Sequence, residues 1–144
     1  VLVILPDVNL LVYAHDEAAP LHRAARAWWE DTMTREHPVA MPWAVALGFV
    51  RLVTHTSVCS TPLPPGDALD RVRGWLEREH VQILDPGPRH LRILGELFAA
   101  TQVAANLTTD THLAALAIEH QCELHSNDAD FHRFPGLRWR NPLA

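Results

Sequence analysis

The sequence lacks several features that define common protein classes. It contains no lysine, and only two of its 144 residues are cysteine, Cys59 and Cys122. These cysteines are far apart and form no CxxC pair, which predicts two reduced, partly buried thiols. No apolar run approaches the roughly 20 residues that span a membrane, and the apolar start, Val1–Leu5, lacks the basic flank and the length of a signal peptide. We therefore expect a cytoplasmic protein that does not enter a membrane.

The chain also lacks the charge of a general nucleic-acid coat protein. Its net charge is −5 with histidine neutral, whereas proteins that grip phosphates without specificity are usually basic. A nuclease that holds its substrate through a metal ion at a local acidic site is compatible with this balance. Ten histidines are present, but HExxH is absent and no two histidines are four residues apart. The histidines therefore do not predict a zinc site.

The size and composition of the chain are those of one globular domain. Hydrophobic residues make up 48% of the sequence and charged residues 20%, which is ordinary for a soluble protein. A chain of this length buries about two thirds of the surface that its unfolded form exposes, so it needs no disulfide or zinc to fold. We expect residues 1–144 to form a single domain.

Short apolar strands alternate with helical patterns along the chain. The predicted strands are Val1–Leu5, Pro38–Met41, Val81–Leu84, Cys122–His125 and a last short strand near Trp139. The predicted helices are Val8–Ala14, Leu21–Met33, Trp43–Thr54, Gly66–Glu79, Pro88–Ala100 and Asp110–His120. This alternation predicts an α/β fold with a mostly parallel sheet covered by helices on both faces. In such sheets, ligands bind beyond the carboxyl ends of the strands.

Local signals predict some helix ends and faces. Asp7 or Asn9 is expected to cap the first helix, and Thr108 or Thr109 the last long one. On the second helix we expect five residues to face the core, namely Leu21, Ala24, Ala25, Trp28 and Trp29.

Several carboxylates lie near the carboxyl ends of the predicted strands, where parallel sheets bind their ligands. Asp7 directly follows the first strand, Asp110 lies in the first turn of the last long helix, and Asp128 follows the fourth strand, with Asp130 two residues later. Taken singly, Asp110 can complement its helix dipole, and Asp128 and Asp130 can be turn residues. Two carboxylates about 4 Å apart, however, repel by roughly 4 kcal/mol at an effective dielectric constant near 20. Without a cation, one of a clustered group would stay protonated at neutral pH.

A hard divalent cation offsets the repulsion between clustered carboxylates, and the carboxylates then serve as its ligands. Oxygen ligands without Cys or His suit Mg²⁺ or Mn²⁺ rather than zinc. Such an ion can lower the pKa of a water molecule that attacks a phosphodiester and can neutralise charge in the transition state. We therefore predict that Asp7, Asp110 and Asp128 are catalytic and bind the metal.

Three small polar residues beside the acids are candidates to orient them. Asn9 is two residues after Asp7, Thr109 directly precedes Asp110, and Ser126 is two residues before Asp128. Each can hydrogen-bond a carboxylate or a water molecule from behind the metal ligands. Ordinary capping and turn chemistry explains them equally well, so both interpretations stay open.

Three segments of the sequence resemble the PIN domain, namely PDVNLLVYA, NLTTDTHLAALAIEH and HSNDADFHRFPGLRWRNP. Within that family they are similar to the VapC toxins of bacterial toxin–antitoxin pairs, and the similarity covers nearly the whole chain. The resemblance implies an α/β/α sandwich, an Mg²⁺-dependent endoribonuclease that acts on RNA, a homodimer, and a cognate VapB-like antitoxin that covers the active site. By position it implies that Asp7, Asp110 and Asp128 are the metal-site acids, with Asp130 at a second metal or in the outer shell.

One departure from the family concerns the second metal. Many PIN domains carry a Glu on the helix that here is Trp43–Thr54, and this helix has no acid. Asp16, Glu17 or Glu30 could replace it, or water molecules could complete the shell. We predict one metal site and leave a two-metal mechanism open.

Other functions are weighed against the nuclease. A phosphatase of the HAD type needs a second Asp where this chain has Asn9, and a lysine near the later acids, which is missing. A phospho-receiver domain could use Asp85 as its acceptor but also needs a late lysine. Two alternatives within the fold stay open: a PIN nuclease of RNA processing outside toxin–antitoxin systems, and a non-catalytic PIN domain that binds RNA or a protein partner. The missing helix Glu is the main support for the last.

Three apolar helices carry more hydrophobic surface than one small core requires. They are Leu10–Ala14, Leu21–Met33 and Trp43–Val53. We therefore expect part of this surface to form contacts with a second copy and with the antitoxin.

Overall fold

The structure is a computed structural model that describes residues 1–34, 37–102 and 107–144. Within those residues one sheet has five strands: β1 (Ile4–Pro6), β2 (Val39–Pro42), β3 (Val81–Leu84), β4 (Glu123–His125) and β5 (Arg138–Arg140). The strand order is β3-β2-β1-β4-β5, and all neighbouring strands are parallel. The predicted α/β fold with a parallel central sheet is therefore confirmed.

Six α-helices connect the strands in the described part of the chain. They are α1 (Val8–His15), α2 (His22–Thr34), α3 (Trp43–Val53), α4 (Pro65–Leu76), α5 (His90–Thr101) and α6 (Thr108–Glu119), and a 3₁₀ helix (Ala129–Arg133) lies between β4 and β5. Helix α1 packs on α2 and α3, α3 packs on α4, and α5 packs on α6. Right-handed crossovers place α1–α4 on one face of the sheet and α5 and α6 on the other. The result is the three-layer sandwich that the sequence predicts.

The core lies on both sides of the central strands. Every residue of β1 and β2 is buried, as expected for strands that are covered on both faces. Cys59 and Cys122 are buried and free, which agrees with the expected reduced thiols. No helix in residues 1–34, 37–102 and 107–144 has the length and apolar character needed to cross a membrane.

Two local predictions about helices were wrong. Helix α6 begins at Thr108 with Leu107 as its N-cap residue, so neither Thr108 nor Thr109 caps it. The hydroxyl of Thr111 instead donates to the carbonyl oxygen of Leu107 at 2.6 Å. On α2, Ala24 is exposed, because the buried stripe continues from Ala25 towards the C-terminal end of the helix through Trp29, Thr32 and Met33. Asp7 does cap α1, accepting from the backbone N–H of Val8.

The predicted surplus of hydrophobic surface is smaller than the sequence suggested. Leu10, Leu11 and Val12 of α1 are all buried, because α1 packs against both α2 and α3. The large hydrophobic residues that are exposed in the described chain are Val1, Trp43, Leu47, Val58, Leu69 and Leu91. Of these residues, only Trp43 and Leu47 share a helix.

A buried carboxylate ties the end of α6 to the loop before α5. The side chain of Glu119 is only 3% exposed, and its two oxygens accept from the backbone N–H groups of Gly87 (2.8 Å) and Arg89 (2.9 Å). A Cβ at Gly87 would lie 2.5 Å from a Glu119 carboxylate oxygen, so any larger residue at this position would force the carboxylate to shift. Since Asp110 is on the same helix as Glu119, this contact fixes the helix that carries one of the candidate acids.

Candidate active site at the carboxyl edge of the sheet

The site lies where the direction of the sheet order reverses. From β1 the chain moves outward to β2 and β3, then crosses to β4 on the other side of β1. The carboxyl ends of β1 and β4 therefore flank a topological switch point, the place where parallel sheets bind ligands. Asp7 follows β1 directly, and its N–H donates to the carbonyl oxygen of His125, the last residue of β4, at 2.8 Å. Ser126 and Asp128 follow His125 at the same edge.

Asp7 is a buried carboxylate with both oxygens engaged. It is 6% exposed. One oxygen accepts from the Val8 N–H at 2.7 Å, and the other accepts from the Ser126 hydroxyl at 2.7 Å. Burial raises the pKa of Asp7 above its ordinary value even though these two hydrogen bonds lower it, and the charge of Asp128 raises it further. The fold thus disfavours the charged form of Asp7 when no cation is bound.

Ser126 joins the candidate acids to one another. It is fully buried, and its single hydroxyl proton goes to Asp7. The same oxygen accepts from the Asn9 side-chain amide at 3.3 Å and from the Asp128 N–H at 3.0 Å. Its carbonyl oxygen accepts from the Trp139 indole at 3.1 Å. Ser126 therefore positions Asp7, Asn9 and the start of the Asp128 loop together.

Asp7, Asp128 and Asp130 all lie close enough to Asp110 for their charges to act on it. Burial raises the pKa of Asp110, the charges of Asp7, Asp128 and Asp130 raise it further, and Arg133 partly offsets them, so that it reaches about 6. Asp128 accepts from the Asp130 N–H at 2.9 Å, and the Asp130 carboxylate pairs with Arg133 at 2.9 Å. The fold brings together carboxyl groups that are more than 100 residues apart in sequence.

The oxygen atoms of the candidate acids are ligands that suit a hard divalent cation, although their side chains are too far apart to bind one as they stand. As their side chains stand, no three His, Cys, Asp or Glu residues of the described chain are close enough together to hold a metal ion. The donors at the site are nevertheless all oxygens, and their negative charges raise the pKa of Asp7 and Asp110. The side-chain oxygen of Asn9 is buried without a hydrogen-bond partner, which leaves it free to accept from a metal-bound ligand or to bind a cation. An ion would have to draw the carboxyl groups closer together.

The acids considered as substitutes for the missing helix Glu lie elsewhere. Asp16, Glu17 and Glu30 line a separate cavity at the end of α1. Asp16 accepts from the hydroxyl of Ser60, and Glu30 pairs with Arg26 at 2.8 Å. None of the three is among the groups that shift the pKa of the candidate acids.

Thr109 and Asn9 differ in how far the structure supports their predicted roles. Thr109 is exposed in the first turn of α6, beside Asp110, and its orienting role stays a prediction. Asn9 contacts Ser126 directly. Its place in the network makes it the stronger candidate of the two.

A layer of support behind the site was missed by sequence reasoning. His125 is 3% exposed; its Nδ1 accepts from the Trp28 indole at 3.2 Å, and its Nε2 lies 2.8 Å from Glu123. This network assigns the proton to Nε2, and burial lowers the pKa of His125. Beyond it, Asn141 donates to the side chain of Asn127 at 3.1 Å. The only sequence signal was a histidine in a buried strand, and its partner on α2 is 97 residues away.

The raised pKa values predict how stability depends on pH when no divalent cation is bound. A carboxyl group with a higher pKa in the folded protein binds protons more tightly there, so the free energy of unfolding falls as pH rises between the two pKa values. For Asp110 this window runs from 3.8 to about 6, and Asp7 acts in the same direction. Allowing for solvent screening, we expect Asp110 to cost about 1 kcal/mol, or roughly 3 °C in Tm, by neutral pH.

Thermal melts of the wild type and Asp110→Asn across this pH range measure the effect. The variant should lose most of the slope, because its amide does not titrate. At pH 7, Mg²⁺ or Mn²⁺ should raise the Tm of the wild type by mass action, and should do so much less at acid pH, where protons compete for the carboxylates. Identical pH slopes for the two proteins would contradict the clustering of charges.

The chain is similar to known proteins both in sequence and in structure. The sequence model of the PIN domain family matches residues 4–137. Ribonuclease VapC33 of Mycobacterium tuberculosis is 44% identical over 140 residues, which cover 97% of this chain and 98% of the relative. Ribonuclease VapC37 of the same organism is 36% identical over 138 residues, covering 96% of each chain.

A solved structure gives the same result for the fold. VapBC-1 from nontypeable Haemophilus influenzae matches with a TM-score of 0.72 at 13% identity, covering 99% of this chain and 100% of that one. At that identity the likeness speaks for the fold alone, while the relatives at 36% and 44% speak for the family. The chain therefore belongs to the PIN-domain family and to its VapC branch.

Proposed function

We propose that this protein is a metal-dependent endoribonuclease that hydrolyses RNA phosphodiester bonds and acts as the toxin of a toxin–antitoxin pair in the cytoplasm. The observation that carries the proposal is the buried Asp7 at the switch point, joined through Ser126 to the Asp128 loop and close enough to Asp110 to raise its pKa. A full-length relative named as a ribonuclease supports the activity.

The proposed cofactor is Mg²⁺ or Mn²⁺, held by Asp7, Asp110 and Asp128. Asp130 would hold a second ion or act from the outer shell, and its contact with Arg133 favours the outer position. When bound, the cation supplies an activated water molecule and neutralises negative charge that develops on the phosphate. The chain contributes orientation: the Val8 N–H and the Ser126 hydroxyl fix both oxygens of Asp7 before any ligand arrives.

Metal removal tests the proposal. Purified protein should cleave RNA in Mn²⁺ or Mg²⁺, lose all measurable cleavage in EDTA, and regain it when the ion is restored in excess, as read by gel analysis of the RNA. Circular dichroism in EDTA checks that the fold survives. Cleavage that persists in EDTA would contradict a metal-dependent site. RNA binding without cleavage in either ion would instead favour the non-catalytic alternative.

We also propose a VapB-like antitoxin partner and a homodimer. A solved structure described as a toxin–antitoxin complex from Klebsiella pneumoniae has this fold, with a TM-score of 0.64 over 96% of this chain. Growth arrest on expression, relieved by co-expression of a small protein from the neighbouring gene, would separate a toxin from a nuclease of RNA processing. Light scattering that gives a monodisperse monomer at micromolar concentration would contradict the homodimer.

A further inference from the structure

Trp43 differs from the other tryptophans of this protein. Four of the five contact another ring or donate an indole hydrogen bond, namely Trp28, Trp29, Trp75 and Trp139. Trp43 is 48% exposed, and within the described residues it makes neither kind of contact. Covering the exposed part of a large aromatic ring is favourable, so Trp43 is available to contact a partner outside the described fold.

The register of the sheet places Trp43 at the edge that holds the candidate acids. Ile4 of β1 pairs with Val39 of β2, so continuing the two strands puts Pro42 beside Asp7. Trp43 is the next residue and the first of α3. Trp43 therefore begins α3 at the same edge of the sheet where Asp7 follows β1.

Arg140 provides a positive charge on the other side of the acids from Trp43. Strand β5 ends at Arg140, which pairs with His125 in the sheet register and is exposed. Its guanidinium makes no ion pair within the described residues, and its charge is felt by His125. The edge thus presents an aromatic ring on the β2 side, carboxylates in the middle, and a free arginine on the β5 side. This arrangement suits the bases and phosphates of a single RNA strand.

Few exposed apolar side chains share α3 with Trp43. On α3 only Leu47 is a second exposed large hydrophobic residue, and Arg51 one turn later is a charge. A stable protein interface buries about 800 Å² on each partner. One base, by contrast, needs only one ring, and stacking of this kind contributes about 1–3 kcal/mol for each base.

We propose that Trp43 stacks on an unpaired base of the RNA substrate near the bond that is cut, with Arg140 contacting a phosphate on the other side of the acids. The proposal rests on the proposed ribonuclease function and adds to it a residue that contacts the substrate beside the acids. Double-stranded RNA keeps its bases stacked on one another and cannot offer a face to Trp43.

Binding measurements on a cleavage-deficient protein test the proposal. In an Asp7→Asn background, fluorescence anisotropy is measured with a short fluorescein-labelled oligoribonucleotide of mixed sequence, single-stranded and annealed to its complement. Trp43→Ala should weaken binding of the single strand by about 5- to 100-fold and change duplex binding little, while Trp43→Phe should keep most of the affinity. Leu91→Ala is the matched control, because Leu91 is 80% exposed and lies on α5, on the other face of the sheet.

Unchanged single-strand affinity in Trp43→Ala would overturn the inference. If that result comes with a lower mass in light scattering or with loss of antitoxin binding, Trp43 belongs to a protein contact instead. The same substitution in the active protein separates this inference from the function itself. If the parent cleaves RNA and Trp43→Ala has the same KM, the stacking role fails and the ribonuclease stands; if the parent neither binds nor cleaves RNA, the proposed function fails first.

Discussion

Asp7→Asn is expected to lower RNA cleavage by roughly a thousandfold or more, which corresponds to about 4 kcal/mol of transition-state stabilisation. The substitution keeps the size and shape of the side chain and removes the charge that would hold the cation. The fold should tolerate it, because burial already raises the pKa of Asp7 and so disfavours the charged form. We therefore expect the Tm of the metal-free variant to equal or exceed that of the wild type, measured by circular dichroism beside the cleavage rate.

Asp16→Asn is a matched control for this experiment. Asp16 is also a largely buried aspartate, 9% exposed, at the opposite end of α1 from Asp7. The Ser60 hydroxyl and the Ala18 N–H hold its pKa below the ordinary value even though burial opposes them, so its charged form stabilises the fold. Asp16→Asn should therefore lower the Tm and leave cleavage intact at temperatures where the protein is folded. Cleavage retained by Asp7→Asn in Mn²⁺ would rule out Asp7 as an essential ligand.

Glu119→Ala is expected to lower the free energy of unfolding by about 3 kcal/mol, or roughly 10 °C in Tm. The alanine leaves the N–H groups of Gly87 and Arg89 without the acceptors that they have in the wild type. It also opens space beside Gly87, whose backbone approaches the carboxylate closely. Glu119→Gln keeps one carbonyl acceptor of nearly the same shape, so it should lose clearly less.

The pH dependence of this loss identifies its cause. Burial by itself would raise the pKa of Glu119, but the N–H groups of Gly87 and Arg89, with His120 and His90 nearby, bring it below its ordinary value. The charge of Glu119 therefore stabilises the fold above about pH 4.5, and this contribution is lost as pH falls through the lower folded pKa. The difference between wild type and Glu119→Ala should shrink over that range in thermal melts.

An exposed glutamate provides the comparison for Glu119. Glu96 on α5 pairs with Arg92, and its side chain is 61% exposed, so Glu96→Ala should change stability by less than about 0.5 kcal/mol. Equal melting temperatures for Glu119→Ala and Glu96→Ala would show that the buried carboxylate does not hold the end of α6.

The position of the acids could be predicted because it follows from a local rule. Asp7 and Asp128 come after short apolar strands, and parallel strands carry their carboxyl ends to one edge. To predict the position of Asp110 it was enough that its helix begins near the same edge of the sheet. The order of the strands was not needed for this step, so a single sequence was sufficient. The exposure of Ala24 and the start of α6 at Thr108 were missed, because several helical phases fit the same apolar pattern and caps depend on where the helix begins in space.

The links between the acids could not be predicted in the same way. Ser126 was a candidate to orient the acids, but its bridging place depends on Asp7 and Asn9 lying within hydrogen-bond distance, more than 115 residues away along the chain. His125 and Trp28 meet only because α2 packs across β4. Such contacts depend on the packing of one layer on another, which hydrophobic periodicity does not specify.

By itself, then, the sequence determined the α/β/α fold and the family and predicted which four carboxylates to consider as the site, because alternation of strands and helices and the residues after each strand are properties of short segments. Only the tertiary structure decided how those acids are held, that Asp16, Glu17 and Glu30 lie apart from them, and that Trp43 is left without a partner. These outcomes depend on distances between segments far apart in the chain, and such distances are set by how the layers pack.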